Sequence, residues 1–346
     1  MNMATGVIVS KAKSMHGKQL SADDYNELLH KRSVSEIAGY LKNETQYGEA
    51  LKDVRENNIH RGQLENILRR DMFRQTMKLY RYAEAGQKDF YQLHMQQIEI
   101  DLILQCIRVL ISKEYEDAIA ELPVFLKGYV SYDLMRLGNV HTFDELLSVL
   151  KKTMYYDVLL PFKVGKGKEG EIAYTACETA LNKKYYEHVF EVIDKVMKGK
   201  TRKEARELYG IDVELSNLTK IYRYKRYFQS REDVIRDSLI DVQVHFSKKQ
   251  IEELLAEPHL KGFMDRLAKS WYHLEMDDDK RVYIEWYMDQ FRYRMARKNI
   301  YYSQSAPVVY ASYLYLEKLE LDNLVNIIEG VRYQVDSEDI AKMLIY

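Results

Sequence analysis

The residues of this chain that offer chemistry are scattered. Gly165-Lys-Gly-Lys-Glu-Gly170 fits G-x-G-x-x-G. A dinucleotide site needs that pattern between a strand and a helix N-terminus aimed at the pyrophosphate. Here Pro161 interrupts the approach and no βαβ pattern surrounds the glycines. Glu171 also stands where a P-loop needs Lys, so the stretch reads as a surface loop. The nine histidines form no H-E-x-x-H, and no cysteine lies near enough in sequence to suggest a zinc cluster. Asp277-Asp-Asp279 lacks the glycine and distal glutamate of a calcium loop and reads as a turn. No G-x-S-x-G occurs. Glu99/Asp101 and Glu320/Asp322 are paired acids, but residues two apart on a helix point about 200° apart and do not converge on one substrate. They read as helix-face or buried ion-pair residues. The expectation is a chain with no catalytic, cofactor-binding or metal site.

Three clusters interleave basic and aromatic residues: Tyr80-Arg-Tyr82, Tyr222-Arg-Tyr-Lys-Arg-Tyr227 and Phe291-Arg-Tyr-Arg294. Such clusters can hold phosphates and stack on bases. They are also what the edges of amphipathic helices look like, with tyrosines packed and arginines solvated or paired. The 52 basic and 53 acidic residues leave a net charge of −1, which favours the second reading. A helical nucleic-acid-binding protein stays as the alternative, discriminated by a salt-dependent affinity for RNA or DNA.

The elements that must position these residues are helices. Only four residues are Pro, and Glu, Lys, Arg and Leu are abundant. Mean hydropathy is −0.45. Cys106 and Cys177 each sit in an apolar helical context and read as packed thiols, which fits a reducing compartment. The N-terminal apolar run is too short for a signal peptide, and no run of about 18 apolar residues suggests a membrane span. The 29 tyrosines, each with an apolar body and a polar tip, suit surfaces buried against a partner.

The helix-start signals repeat. Ser33-x-x-Glu36 is followed by Ile37 and Leu41, Thr142-x-x-Glu145 by Leu146 and Leu150, and Ser247-x-x-Gln250 by Ile251 and Leu255. Each has the spacing of a capping box, and the copies lie about 110 residues apart. Long helices are expected over 59–83, 90–112, 172–197, 212–228, 280–299 and from Pro307 to Gly330, where glycine suits a helix end. A further capping box at Thr201 should open a helix ending near Gly210. The chain is thus expected to be all-α, with three helical repeats over 1–122, 123–232 and 233–346.

The last repeat carries a family resemblance. Pro307-Val-Val-Tyr310, Tyr313-Leu-Tyr-Leu-Glu317, Glu320-Leu-Asp-Asn323 and Ile327-Ile-Glu-Gly330-Val-Arg332 occur in order. Together they resemble the C-terminal region of the C subunit of the archaeal/vacuolar-type (A/V-type) rotary ATPases, known as the d subunit in eukaryotes. Glu214-Leu-Ser-Asn217-Leu218 resembles the same acid-to-Asn signature, while the first repeat has Leu104 and Gln105 where Asn is expected. The resemblance implies three similar modules in a pseudo-threefold funnel. It implies a non-catalytic rotor subunit without cofactors, seating central-stalk subunits of the D/F type on a membrane ring of c/K-type proteolipid. It further implies a peripheral place on the cytoplasmic side of the membrane, no nucleic acid, and a part in ATP-linked H+ or Na+ transport. Tyr301, Tyr302 and Pro307, with the Lys166 and Lys168 loop, are the expected partner-facing residues, from their exposed-looking loop settings.

Overall fold

A computed structural model describes residues 3–56, 59–115, 122–163, 172–228, 230–275 and 283–346, with side chains from Gly6 onward. It is all-α, with no strand among the described residues. The Gly165–Gly170 loop with Lys166 and Lys168, and the Asp277–Asp279 turn, lie outside the described residues. The chain divides into two compact units. One comprises Met1–Ala85, Gly199–Asp237 and Asp241–Tyr346, the other Gly86–Lys198 with Ser238–Ile240.

The first unit is built on the Ala306–Arg332 helix, the longest of the described helices at 27 residues. Pro307 opens its first turn, where the missing N–H costs nothing. The helix packs against Met3–His16, Arg61–Tyr80 and Ile284–Tyr302, so it is covered on most sides. Its lower half shares one core with the N-terminal helices: Leu321, Leu324, Ile327 and Ile328 pack with Leu28, Ile37, Leu41, Leu64 and Leu68. Each of these N-terminal side chains is withdrawn completely from solvent, worth about 2–3 kcal/mol apiece. The second unit is built on two long helices, Lys88–Ser112 and Tyr174–Val196, packed along each other. Short helices Leu134–Leu137, Phe143–Leu150 and Tyr155–Leu159 complete it.

All three expected caps form: Ser33, Thr142 and Ser247 accept from the backbone N–H three residues on. The reciprocal bond differs. Gln250 reaches back to the Ser247 N–H, a full capping box. Glu36 and Glu145 reach one residue further, to the Arg32 and His141 N–H groups.

Three boundaries differ from expectation. Thr201 caps nothing, because the Gly199–Arg223 helix has already begun and runs unbroken past Gly210. Gly330 is likewise inside a helix, which continues to Arg332. Both glycines answer a close approach: an added Cβ would meet Val244 Cγ2 at 2.4 Å at Gly210 and Ile340 Cδ1 at 2.4 Å at Gly330. The helix propensity lost is about 1 kcal/mol per glycine, less than the clash avoided.

Candidate partner interface

The most organised polar chemistry is a buried carboxylate that recurs three times. In the second unit Glu99 accepts from the Ser131 N–H through one oxygen and from the Tyr155 hydroxyl, at 2.6 Å, through the other. In the first unit Glu214 accepts from the Val244, His245 and Phe246 N–H groups and from the Tyr272 hydroxyl. There too Glu320 accepts from the Leu20 N–H at 2.8 Å, the Gln46 amide at 2.9 Å and the Tyr47 hydroxyl at 2.6 Å.

The tyrosine is delivered by the same turn each time. Thr45, Thr153 and Ser270 donate their hydroxyls to the Leu41, Leu150 and Leu267 carbonyls at a helix end. Each also accepts the N–H of the tyrosine two residues on, at 3.2 Å. The [S/T]-x-Tyr turn is readable in the sequence, but three residues of that type are too common to single out without their partners.

These nodes change which helix starts correspond. The backbone donors lie just before Ser21, Asp133 and Ser247, each of which caps a helix. Ser21 and Ser247 both form full capping boxes. Ser247 therefore matches Ser21, not Ser33 and Thr142. The helix matching Val34–Glu44 and Phe143–Leu150 is Leu260–Lys269, capped by no side chain. The acid-to-Asn signature sits on the same frame. Asn217 and Asn323 are buried one turn beyond Glu214 and Glu320, and the corresponding position after Glu99 is Leu102. Asn323 donates to the Ile345 carbonyl at 2.7 Å and accepts its N–H at 3.1 Å, fixing the chain end.

Burial sets the charge states. It pushes Glu320 up to about 7, against the pull of Tyr47, the Leu20 N–H and Gln46. It pushes Glu317, one turn earlier, up to about 8, with the adjacent Glu320 adding to the shift and Tyr313 and Gln19 opposing it. Burial, and next to it the paired carboxylate, holds Tyr47, Tyr155 and Tyr272 well above the ordinary phenol range, so all three act as donors. Each carboxylate is filled by donors of its own chain, which makes the nodes structural fasteners. Asp101 and Asp322 point to solvent, as two-apart spacing requires.

Several residues of the Arg–Tyr clusters are also used internally. Lys225 donates to the Leu255 and Glu257 carbonyls, closing the end of the Lys248–Ala256 helix. Arg226 donates to the Tyr222 hydroxyl. Arg292 binds Asp212 at 2.7 Å, Asp289 at 3.0 Å and Ser216 at 3.1 Å. Burial raises the Cys106 thiol to about 12 and the Cys177 thiol to about 11, and both cysteines are free. Among the described residues, no three metal-ligating side chains gather and no helix is long and apolar enough to cross a membrane.

The expected partner-facing residues separate. Tyr301 and Tyr302, at the end of Ile284–Tyr302, are 56% and 79% exposed. The Tyr301 ring meets His16 edge-on, and its carbonyl accepts from Lys13. Pro307 is buried in the first turn of Ala306–Arg332 and offers no surface. Its place after an exposed-looking loop suggests a surface position, but its apolar neighbours draw that turn into the core.

The comparisons with known proteins supply the family. The family described as ATP synthase (C/AC39) subunit matches residues 8–343, and the chain belongs to that family. It is 24% identical to the C subunit of the A-type ATP synthase of Methanosarcina mazei over 76% of this chain and 69% of that one. Against the subunits of the same name from Archaeoglobus fulgidus and Methanococcoides burtonii the identity is 21%, covering 99% and 98% of this chain and 96% and 93% of theirs.

Proposed function

We propose that this chain is a non-catalytic rotor subunit of an A/V-type ATPase, a socket that seats the central stalk on the membrane ring. The family match over 8–343 carries the reading. A torque coupler needs stiffness and two faces. Long helices tied by saturated carboxylate nodes supply the stiffness. The Glu99, Glu214 and Glu320 nodes join each third of the chain to the next, and the last to the first, the connectivity that three modules around an axis require. In this reading the repeats 1–122, 123–232 and 233–346 form the funnel. Its partners are D/F-type stalk subunits and a c/K-type ring. It works as a peripheral protein on the cytoplasmic side, passing torque between ATP chemistry and H+ or Na+ movement. Tyr301 and Tyr302, with Lys166 and Lys168, face partners.

Co-purification tests it. The tagged chain should bring down a stalk heterodimer and a detergent-solubilised ring, and failure to retain either overturns the proposal. Tyr301→Ala, or charge reversal at Lys166 and Lys168, should weaken retention; unchanged binding removes those residues from the interface.

A further inference from the structure

The Met3–His16 helix lies in a stretch without acids: no Asp or Glu occurs between residues 1 and 22. It touches the Arg61–Tyr80 and Ile284–Tyr302 helices. These are also bare of acids toward their C-terminal ends, over 72–83 and 290–316. Cations fill the gap. Lys11 lies on one flank of the first helix, Lys18 follows in the turn just past its end, and Lys13 and His16 occupy the other flank.

These cations have neutral partners. The Lys11 ammonium sits 5.2 Å over the Tyr82 ring. Lys13 donates to the Tyr301 carbonyl at 3.2 Å, Lys78 to the Gln75 amide oxygen at 3.0 Å, and Arg297 to the Tyr293 hydroxyl at 3.1 Å. Lys18 is exposed. Among the described residues none of these five lies within ion-pair distance of a carboxylate. Several cations elsewhere in the unit are paired, among them Arg61 with Glu329, Arg236 with Glu252 and Arg292 with Asp212. The nearby acids are buried and engaged: Asp71 is held by Arg74 and Gln75, and Glu317 accepts from Gln19. Burial lowers the Lys78 pKa and the Arg74 charge lowers it further; Asp71 opposes the shift, and Lys11 and Lys18 add to it. Like charges gathered without acids cost free energy in the isolated chain, and an anionic partner recovers it.

We propose that the face formed by Lys11, Lys13, Lys18, Lys78 and Arg297 docks an acidic helical segment of a partner protein. This rests on the assembly reading above and names the chemistry of one partner. A protein segment fits better than the other polyanions. Insertion into a lipid surface needs apolar side chains standing beyond the cations. Here the ridge between the two lysine flanks is Gly6, Val7, Ser10, Ser14 and Gly17. Bases need free aromatic faces; the Tyr82 and Tyr293 rings already carry Lys11 and Arg297 and the Tyr301 ring meets His16 edge-on, while Tyr302 stays exposed, so an oligonucleotide is the competing ligand in the test. The hydrogen bonds and cation–π contacts instead hold the cations in place, which limits the side-chain entropy lost on docking.

The test uses the full chain and a fluorescent helical peptide of Glu–Ala repeats, read by anisotropy. Binding is expected, weakening as salt rises. Lys11→Glu with Lys18→Glu should cut affinity about tenfold or more, and Lys78→Glu should add to the loss. Lys52→Glu with Lys200→Glu, which reverses lysines already paired to Glu49 and Glu204, should leave it unchanged. Circular dichroism confirms that each variant folds. No peptide binding, or equal loss in both double variants, overturns the proposal. So does tighter binding to phosphatidylserine vesicles or to a single-stranded oligonucleotide through the same lysines. If the peptide result fails while stalk and ring still co-purify, this inference falls alone. If the peptide binds but neither stalk nor ring is retained, the rotor reading falls instead.

Discussion

Removing one hydroxyl from the second unit measures what a carboxylate node contributes. Tyr155 is fully buried and donates to Glu99 at 2.6 Å. Among the described residues the other donor to that carboxylate is the Ser131 N–H, so Tyr155→Phe takes one of two. A hydrogen bond to a charged group is worth about 1.5–3 kcal/mol, and a carboxylate left half-satisfied in the interior puts the loss near the top of that range. Glu320 has three donors and Glu214 is held by three backbone N–H groups besides Tyr272. Tyr47→Phe should therefore cost less than Tyr155→Phe, and Tyr272→Phe least. The adjacent Tyr156→Phe is the control, because Tyr156 is half-buried and serves no node; it should stay within about 0.5 kcal/mol of the parent. Urea unfolding followed by circular dichroism reads the differences as midpoint shifts at constant slope. Equal effects of Tyr155→Phe and Tyr156→Phe, or the reverse order among the three nodes, would refute the reasoning.

Two further outcomes follow from the first unit. Glu317 and Glu320 are raised to about 8 and about 7 in the folded chain, so folding takes up protons there. Their contribution is fully present below the unfolded carboxylate range near pH 4 and is lost as pH rises through 7 to 8. Thermal melts from pH 5 to 8.5 should show that decline, and Glu317→Gln should flatten it; an unchanged slope in the variant counts against proton uptake at Glu317. Asn323→Leu, which copies the residue found at Leu102, should cost about 2 kcal/mol by leaving the Ile345 N–H and carbonyl unpaired. Faster hydrogen exchange at the last residues should accompany that loss, and protection equal to the parent's would show that Asn323 does not fix the chain end.

Much of the fold was legible because its signals are local. The caps at Ser33, Thr142 and Ser247 act over three residues, and the apolar spacing of 3.6 needs one helix to be read. The ordered Pro, Tyr-Leu, Glu-x-Asp-Asn and Gly run also carried the family. Tertiary structure decided the rest. Tyr47 meets Glu320 across 273 positions, and nothing within either neighbourhood specifies the other. That pairing moved Ser247 into register with Ser21. Gly210 and Gly330 read as helix ends until Val244 and Ile340 are seen against them. Pro307 reads as exposed until its turn is packed. Local hydrogen bonds and periodicity make the helices, while the core and the desolvated carboxylates choose which helices meet.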